Sequence, residues 1–202
     1  MGKRTWRRVA AIVVSIMISS FSFGALGAEP AAASSVDNAR LAALFAADQD
    51  DRKAGPTEMS GFDWKGVEAR DKERVAALRE MLKAGLVRTA ADFRRASNIF
   101  QHADAADGPR LAHALATISA SMDPANKEAR WLMAASWDRL MMRMDRPQWY
   151  GTQFVRKAAS DPWSLGDVDA SVTDAERASY FVPPLAEMRK HIEEMNRADP
   201  PK

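Results

Sequence analysis

Residues 130–153 read RWLMAASWDRLMMRMDRPQWYGTQ, and this stretch decides the fold. On a helix with about 100° per residue, most of its large apolar side chains fall on one broad face. That face contains Ala129, Met133, Ser136, Trp137, Leu140, Met141 and Met144. A second apolar stripe lies almost opposite, at Trp131, Ala135 and Met142. A helix that is apolar on nearly all sides is predicted to lie in the middle of a helical bundle.

Two charged side chains interrupt these apolar faces. Arg130 projects into the broad face, and Asp138 lies close to the second stripe. A charge removed from water destabilises the fold unless it is paired, so both side chains are expected to have partners. The alternatives are a structural ion-pair network and a polar pocket. We expect Asp138 to meet Arg130, Arg139 or Tyr150, with an arginine as its partner because the planar guanidinium can hold a carboxylate with two hydrogen bonds.

The helix is predicted to end near Arg146, because Pro147 disfavours the α conformation in the residue before it. The next six residues, 148–153, form a polar and aromatic loop with Gly151 in its middle. Glycine permits a positive φ or the close approach of another backbone. Loops on rigid scaffolds often carry binding groups, so this loop is the first candidate for a functional site.

The first 28 residues have the three-part pattern of a secretory signal peptide. A basic head precedes an apolar run from Val9 through Leu26, and small residues follow. Cleavage after Gly27 and cleavage after Ala28 are both compatible with the pattern, and an uncleaved anchor is the alternative. Residues 29–35 are predicted to be a flexible spacer. We therefore expect a periplasmic or secreted protein with no stable membrane association after cleavage.

Removal of the leader changes the electrostatic interpretation. The chain has 29 Lys and Arg against 27 Asp and Glu, and four of the basic residues lie in the leader, which leaves 25 against 27. Nothing in this balance indicates a nucleic-acid-binding face. The chain has no cysteine, so no disulfide contributes and its stability must come from its core.

The remaining pattern predicts one all-α domain, a single-domain bundle of about six or seven helices over residues 36–197. Thr89 and Thr173 begin predicted capping boxes, Asp107 and Asp123 are predicted to cap helices, and residues 198–202 are expected to be a disordered tail. Asp71 falls inside an apolar stripe and is expected to face water; the alternative is a partner for Arg130 or Arg139. No repeat with a fixed period indicates a solenoid.

Motifs with a known chemistry are largely missing from the sequence. It contains no glycine-rich phosphate loop, no His-Glu-x-x-His and no Gly-x-Ser-x-Gly. His191 lies on a charged stretch and is expected at the surface. His102 and His113 are predicted near one end of the bundle, where with Asp138 or Asp104 they offer acid–base groups or metal ligands. The alternative is structural, with His102 at a helix C-terminus and His113 half-buried, and no metal is predicted.

Several short motifs resemble an uncharacterised bacterial domain family of unknown function. They are Phe-Gln-His at 100–102, Ala-Arg-Trp-Leu at 129–132 and Pro-Gln-x-Tyr-Gly-Thr-Gln at 147–153, the most specific of the three. The resemblance covers roughly residues 36–185 and implies no established activity. Ala103 and Asp145 stand where the family pattern has glycine, so both local turns are expected to differ.

The sequence thus favours an exported helical domain that binds a small polar ligand or a peptide in a polar pocket. A hydrolase-like enzyme with a histidine general base is the first alternative, and an interaction domain without a pocket is the second. The cofactor is unknown. The candidate ligand-binding residues are His102, His113, Arg130, Asp138, Arg139, Gln148, Tyr150 and Gln153.

Overall fold

Seven helices carry most of the residues that the structure describes. In this computed structural model the described residues are 36–53, 63–103, 107–156, 158, 160–198 and 200, all within the compact unit Ala33–Lys202. The helices are α1 (Ala39–Lys53), α2 (Trp64–Lys83), α3 (Ala90–Phe100), α4 (Gly108–Met122), α5 (Lys127–Arg143), α6 (Asp174–Ser179) and α7 (Leu185–Ala198). The all-α prediction is confirmed for this part of the chain. The predicted signal peptide and spacer lie outside the described residues.

Two of the predicted helix starts follow directly from local capping chemistry. Thr89 accepts a hydrogen bond from the Asp92 amide, and the Asp92 side chain accepts one in return from the Thr89 amide. Thr173 and Glu176 form the same reciprocal pair at α6. Each box satisfies two backbone donors that the first turn of a helix leaves free, so both predictions are confirmed.

The capping prediction is wrong at Asp123, and at Asp107 it is right only in the position of the residue. Asn126, rather than Asp123, caps α5 by accepting a hydrogen bond from the Ala129 amide. Asp107 stands at the start of α4 but makes no side-chain cap, because its carboxylate binds Arg79 at 2.8 Å. A competing partner elsewhere in the fold redirects the side chain in the second case.

Helix α5 ends three residues before the predicted Arg146. The Arg146 amide donates to the Met141 carbonyl and the Asp145 amide to the Met142 carbonyl, while Asp145 has a φ of 54°. This is the Schellman arrangement, which ends a helix by placing one residue in the left-handed conformation. Asp145 therefore occupies the position that glycine usually takes.

The middle of the bundle is α3 with α4 rather than the predicted α5, because α3 contacts α1, α2, α4 and α5. Helix α4 packs against α3 on one side and α5 on the other, and α1 and α2 pack against α3. Helix α5 is apolar on its far side because an irregular segment, residues 147–172, and the chain after α6 cover it there. Ala134 of α5 packs with Tyr150 and Val182, for example. Trp131, at the edge of this cover, is 36% exposed.

A buried ionic network joins α1 and α2. Arg52 contacts Asp48 at 2.9 Å and Asp71 at 2.6 Å, and Arg74 contacts Asp71 at 2.6 Å. The expectation that Asp71 faces water is therefore wrong, since it is only 8% exposed. Its partners are arginines of the first two helices rather than Arg130 or Arg139.

The irregular segment is held by two isolated bridges and a second apolar cluster. Gln148 pairs in parallel with Val168, and Val155 pairs antiparallel with Ser164. Leu165 packs with Met188 and Ile192, which attaches α7 to the segment. None of the helices in the described part of the chain has both the length and the apolar character needed to cross a membrane.

Replacement of Asp145 by glycine is expected to stabilise the protein. The left-handed conformation costs a non-glycine residue about 1 kcal/mol, and glycine adopts it freely at some cost in unfolded-chain entropy. We expect a net gain of about 0.5 kcal/mol in the free energy of unfolding, measured by urea denaturation. Asp145→Ala is the matched control and should lower stability, because alanine lacks the short polar side chain that lets aspartate tolerate the left-handed conformation. A loss of stability in Asp145→Gly would contradict this account of the helix end.

Candidate functional site

The Asp138 carboxylate is the point around which the 147–153 loop is wrapped. Oδ1 accepts hydrogen bonds from the Trp149 amide at 2.7 Å and the Tyr150 amide at 2.9 Å. Oδ2 accepts from the Thr152 amide at 2.9 Å and the Thr152 hydroxyl at 2.8 Å. The side chain is fully buried. Four donors from one short loop thus replace the water that the carboxylate loses on folding.

The prediction that an arginine pairs with Asp138 is wrong. Arg139 instead donates to the Gln153 side chain at 3.0 Å and to the Gln101 carbonyl at 2.9 Å. Arg130 lies over the Phe181 ring, 5.4 Å from its centroid. Tyr150 meets Asp138 through its backbone amide and not through its phenol. Converging amide donors can satisfy a buried carboxylate as well as a guanidinium can.

Gln148 closes the loop from within. Its Oε1 accepts from the Gln153 amide at 2.8 Å, and its Nε2 donates to the Gln153 carbonyl at 2.9 Å and to the Leu165 carbonyl. The side chain is 1% exposed. All of its polar atoms are engaged by the protein, so Gln148 shapes the loop and offers nothing to a ligand.

Arg177 of α6 holds the outer side of the same loop, and the sequence analysis did not identify it. Its guanidinium donates to the carbonyls of Trp149 at 3.3 Å, Tyr150 at 3.2 Å and Val172 at 2.6 Å. It also pairs with Asp174 at 3.3 Å. The amides of two loop residues thus face an anion while their carbonyls face a cation. Helical spacing gave no signal, because the six residues of α6 form fewer than two turns.

The two candidate histidines have separate partners. His102 lies 3.8 Å from the Asp48 carboxylate in the network of α1 and α2. Burial, helped by Arg52, Arg139 and Arg74, holds the pKa of His102 well below its usual 6.5. His113 lies 3.0 Å from the Met133 carbonyl through Nδ1 and packs against Trp137. A carbonyl only accepts, so Nδ1 carries a proton.

Neither histidine is brought to a metal site or to the loop surface. No group of three or more His, Asp or Glu side chains within the described ranges has a geometry that holds a metal ion. Asp104, the other suggested partner, lies outside the described residues. His191 is exposed, as expected. Arg139 is partly buried, and this burial lowers its pKa to about 10, so it remains charged at neutral pH.

The solvent side of the loop carries an aromatic pocket of about 340 Å³. The rings of Tyr150 and Tyr180 lie 4.9 Å apart, and Trp149 is 6.4 Å from Tyr150. Burial and the neighbouring Tyr180 phenol raise the pKa of Tyr150, so the Tyr150 phenol stays protonated at neutral pH. The lining residues are Trp149, Tyr150, Asp169, Ser171, Val172, Glu176, Ser179 and Tyr180.

Two further pockets adjoin this aromatic pocket through shared lining residues. An apolar pocket of about 440 Å³ shares Trp149 and Asp169 with it. A basic pocket of about 380 Å³, which contains Arg130, shares Ser179 and Tyr180. Of the predicted site residues only Tyr150 and Arg130 line these three pockets. Asp138 and Arg139 lie on α5 behind the loop, and Gln148 and Gln153 belong to the loop itself; the hydrogen bonds of all four position the loop.

Comparison of the chain with family models, curated proteins and solved structures finds no match. The resemblance to a bacterial domain family therefore stays a prediction.

Replacement of Asp138 by asparagine is expected to weaken the hydrogen bonds that hold the 147–153 loop on α5 and so to destabilise the protein. Asparagine keeps the shape but turns one acceptor oxygen into a donor that faces other donors. Because hydrogen bonds to a charged group contribute about 1.5–3 kcal/mol each, the free energy of unfolding should fall by about 3 kcal/mol or more. Chemical denaturation measures the loss. Asp167→Asn, an exposed aspartate of the same segment, should change stability by less than about 0.5 kcal/mol. A loss for Asp138→Asn no larger than that of Asp167→Asn would contradict the structural role.

Stability is expected to fall as the pH drops through 6.5, the usual pKa of histidine. The unfolded chain then takes up a proton at His102 that the folded chain does not, which favours unfolding by up to about 1.4 kcal/mol per pH unit. Urea unfolding between about pH 7.5 and pH 5 measures the slope. His102→Gln should flatten it, whereas His191→Gln, at an exposed site, should leave it unchanged. Equal slopes in the wild type and His102→Gln would contradict the assignment.

Proposed function

We propose that this domain binds an extended peptide across the three adjoining pockets beside the 147–153 loop. The observation that carries the proposal is the sharing of lining residues, which puts the apolar, aromatic and basic pockets in one row. Successive side chains of an extended peptide need such neighbouring pockets of different chemistry.

The apolar pocket suits a large aliphatic or aromatic side chain. Leu140, Met141 and Met144 line it together with the rings of Trp137 and Trp149. The indole N–H of Trp137 is buried and has no hydrogen-bond partner in the described part of the chain. A buried donor without a partner is costly, but this nitrogen has almost no accessible surface, so a peptide carbonyl reaches it only if neighbouring side chains move.

The basic pocket suits an anionic group such as a carboxylate. Arg130 lines it with the hydroxyl-bearing side chains of Thr117 and Ser121. Within the described residues its guanidinium contacts the Phe181 ring and makes no ion pair or hydrogen bond. Phe181 itself has a φ of 57°, a strained conformation for a large residue, and is 41% exposed. Arg130 is therefore positioned by stacking and keeps its donors free.

The platform under these pockets is rigid, which favours binding. Trp149 and Tyr150 are held through both their amides and their carbonyls, by Asp138 and Arg177. A surface that is already ordered loses little conformational entropy on binding. Trp149 is 40% exposed at the junction of two pockets, and a peptide would cover more of it than a small molecule would.

The predicted export of this protein indicates where the peptide would come from. The basic head and apolar run of residues 1–28 favour a protein that acts in the periplasm or outside the cell. The proposed partner is accordingly a peptide or protein segment found there.

The proposal is tested by selecting binders from a display library of random peptides and measuring their affinity by calorimetry. Exposed aromatic residues at the centre of an interface often contribute 2 kcal/mol or more, so Trp149→Ala should weaken binding about 30-fold. Arg130→Gln should weaken peptides that carry an anionic group.

Trp131→Ala is the matched control, since this tryptophan is also exposed but lines none of the three pockets. Arg110→Gln serves in the same way for Arg130, because Arg110 is exposed on α4. If the selected peptides bind Trp149→Ala as tightly as the wild type, their site lies elsewhere. If no peptide binds, the proposed function is wrong.

A further inference from the structure

We propose that the aromatic pocket lined by Trp149, Tyr150 and Tyr180 binds a cationic side chain, an ammonium or a guanidinium group. This inference rests on the proposed function, because it names the side chain that the central pocket of the row would accept. It concerns a different property, however, namely the charge of the bound group.

The charged groups that line this pocket are all negative. Asp169 and Glu176 both line it, and no lysine, arginine or histidine does. Hydrogen bonds from Ser171 lower the pKa of Asp169, and those from Thr173 lower the pKa of Glu176. Both carboxylates are therefore ionised at neutral pH, and a cation entering the pocket is attracted by two negative charges.

The nearest cations form no ion pair with these carboxylates, although the charge of Arg177 contributes to the lowered pKa of Glu176 and Arg146 lines the apolar pocket together with Asp169. Arg177 is 2% exposed and directs its guanidinium to loop carbonyls and to Asp174. Arg130 belongs to the adjoining pocket, where it stacks on Phe181. Neither Asp169 nor Glu176 has an ion-pair partner within the described residues. The charge of the pocket is thus left for a ligand to balance.

The walls add a second and independent attraction for a cation. Trp149, Tyr150 and Tyr180 form a chain of tilted rings with interplanar angles of 56° for each neighbouring pair. The face of an aromatic ring carries negative electrostatic potential and attracts ammonium and guanidinium groups, most strongly for tryptophan. The methylene stem of a lysine or arginine packs on the same rings. An anionic ligand would be repelled by both features.

The hydrogen bonds of the carboxylates allow their charge to be removed without loss of local structure. Glu176 accepts its capping bonds through one oxygen, and glutamine serves equally well in a capping box. Asp169 accepts from Ser171 through Oδ1 alone, which asparagine also provides. Glu176→Gln and Asp169→Asn therefore change the charge of the pocket and keep its shape.

The experiment titrates the purified protein with four matched probes and follows the indole N–H signals by NMR. The probes are the Nα-acetyl amides of lysine, arginine, norleucine and glutamate. The Trp149 signal is assigned by its absence in Trp149→Phe. The lysine and arginine probes should shift it in a saturable way, whereas the norleucine and glutamate probes should not. Raising the salt concentration should weaken the binding, because exposed charges are screened.

The charge variants identify the groups responsible. Glu176→Gln and Asp169→Asn should each weaken binding of the lysine probe about three- to fivefold, as expected for partly exposed charges. Glu187→Gln, which removes the same charge from an exposed position of α7, should have no effect. Loss of binding in Glu187→Gln equal to that in Glu176→Gln would mean that net charge alone is responsible and would overturn the site.

The outcomes separate this inference from the proposed function. Equal binding of norleucine and lysine, or stronger binding of glutamate, overturns the cationic pocket. If selected peptides bind in a Trp149-dependent way but none of the four probes shifts the signal, the peptide function stands and the cationic pocket is wrong. If the lysine probe binds and no peptide does, the pocket stands and the peptide function is wrong.

Discussion

The rest of the candidate functional surface depends on the hydrogen bonds that join Asp138, the 147–153 loop and Arg177. The buried carboxylate receives the amides of Trp149, Tyr150 and Thr152, and the guanidinium receives the carbonyls of Trp149 and Tyr150. The peptide groups between them are oriented by charges of opposite sign at their two ends. Because the backbone is fixed in this way, the Trp149 side chain stays exposed at the surface, and Tyr150 lines the aromatic pocket while packing against Ala134 and Val182.

This arrangement explains why polar residues stand where a bundle usually has apolar ones. Irregular backbone over a hydrophobic helix leaves amides and carbonyls without partners, and each buried one destabilises the fold. Asp138 and Gln148 supply the missing acceptors and donors from below, and Arg177 supplies donors from above. The polar groups are therefore the means by which an irregular segment packs against α5, and most of the predicted site residues have this supporting role.

A second polar centre, in α1 and α2, is distinct from the loop and its pockets. Asp48, Asp71, Arg52 and Arg74 satisfy one another in the interior, and His102 joins them beside Asp48. None of these residues lines the three adjoining pockets. Aspartate, arginine and histidine side chains also occur together in catalytic sites, but here the charged groups are already paired with one another in salt bridges. Burial also keeps His102 neutral, which fits a structural group.

The sequence by itself determined the helices, the two threonine capping boxes and the need for partners around Asp138, because these depend on neighbouring residues and on periodicity. It left Gly151 open between a positive φ and a close backbone approach, and the structure gives a φ of 75°. Only the tertiary structure decided which partners Asp138 has, since amides and guanidinium groups satisfy a carboxylate equally well. It also decided that α3 and α4, rather than α5, are central, because an irregular segment covers the apolar far side of α5 as effectively as a helix does. The contacts of Arg177 with the loop, and the row of pockets, bring together residues that are far apart in the chain. No local sequence pattern predicts such contacts.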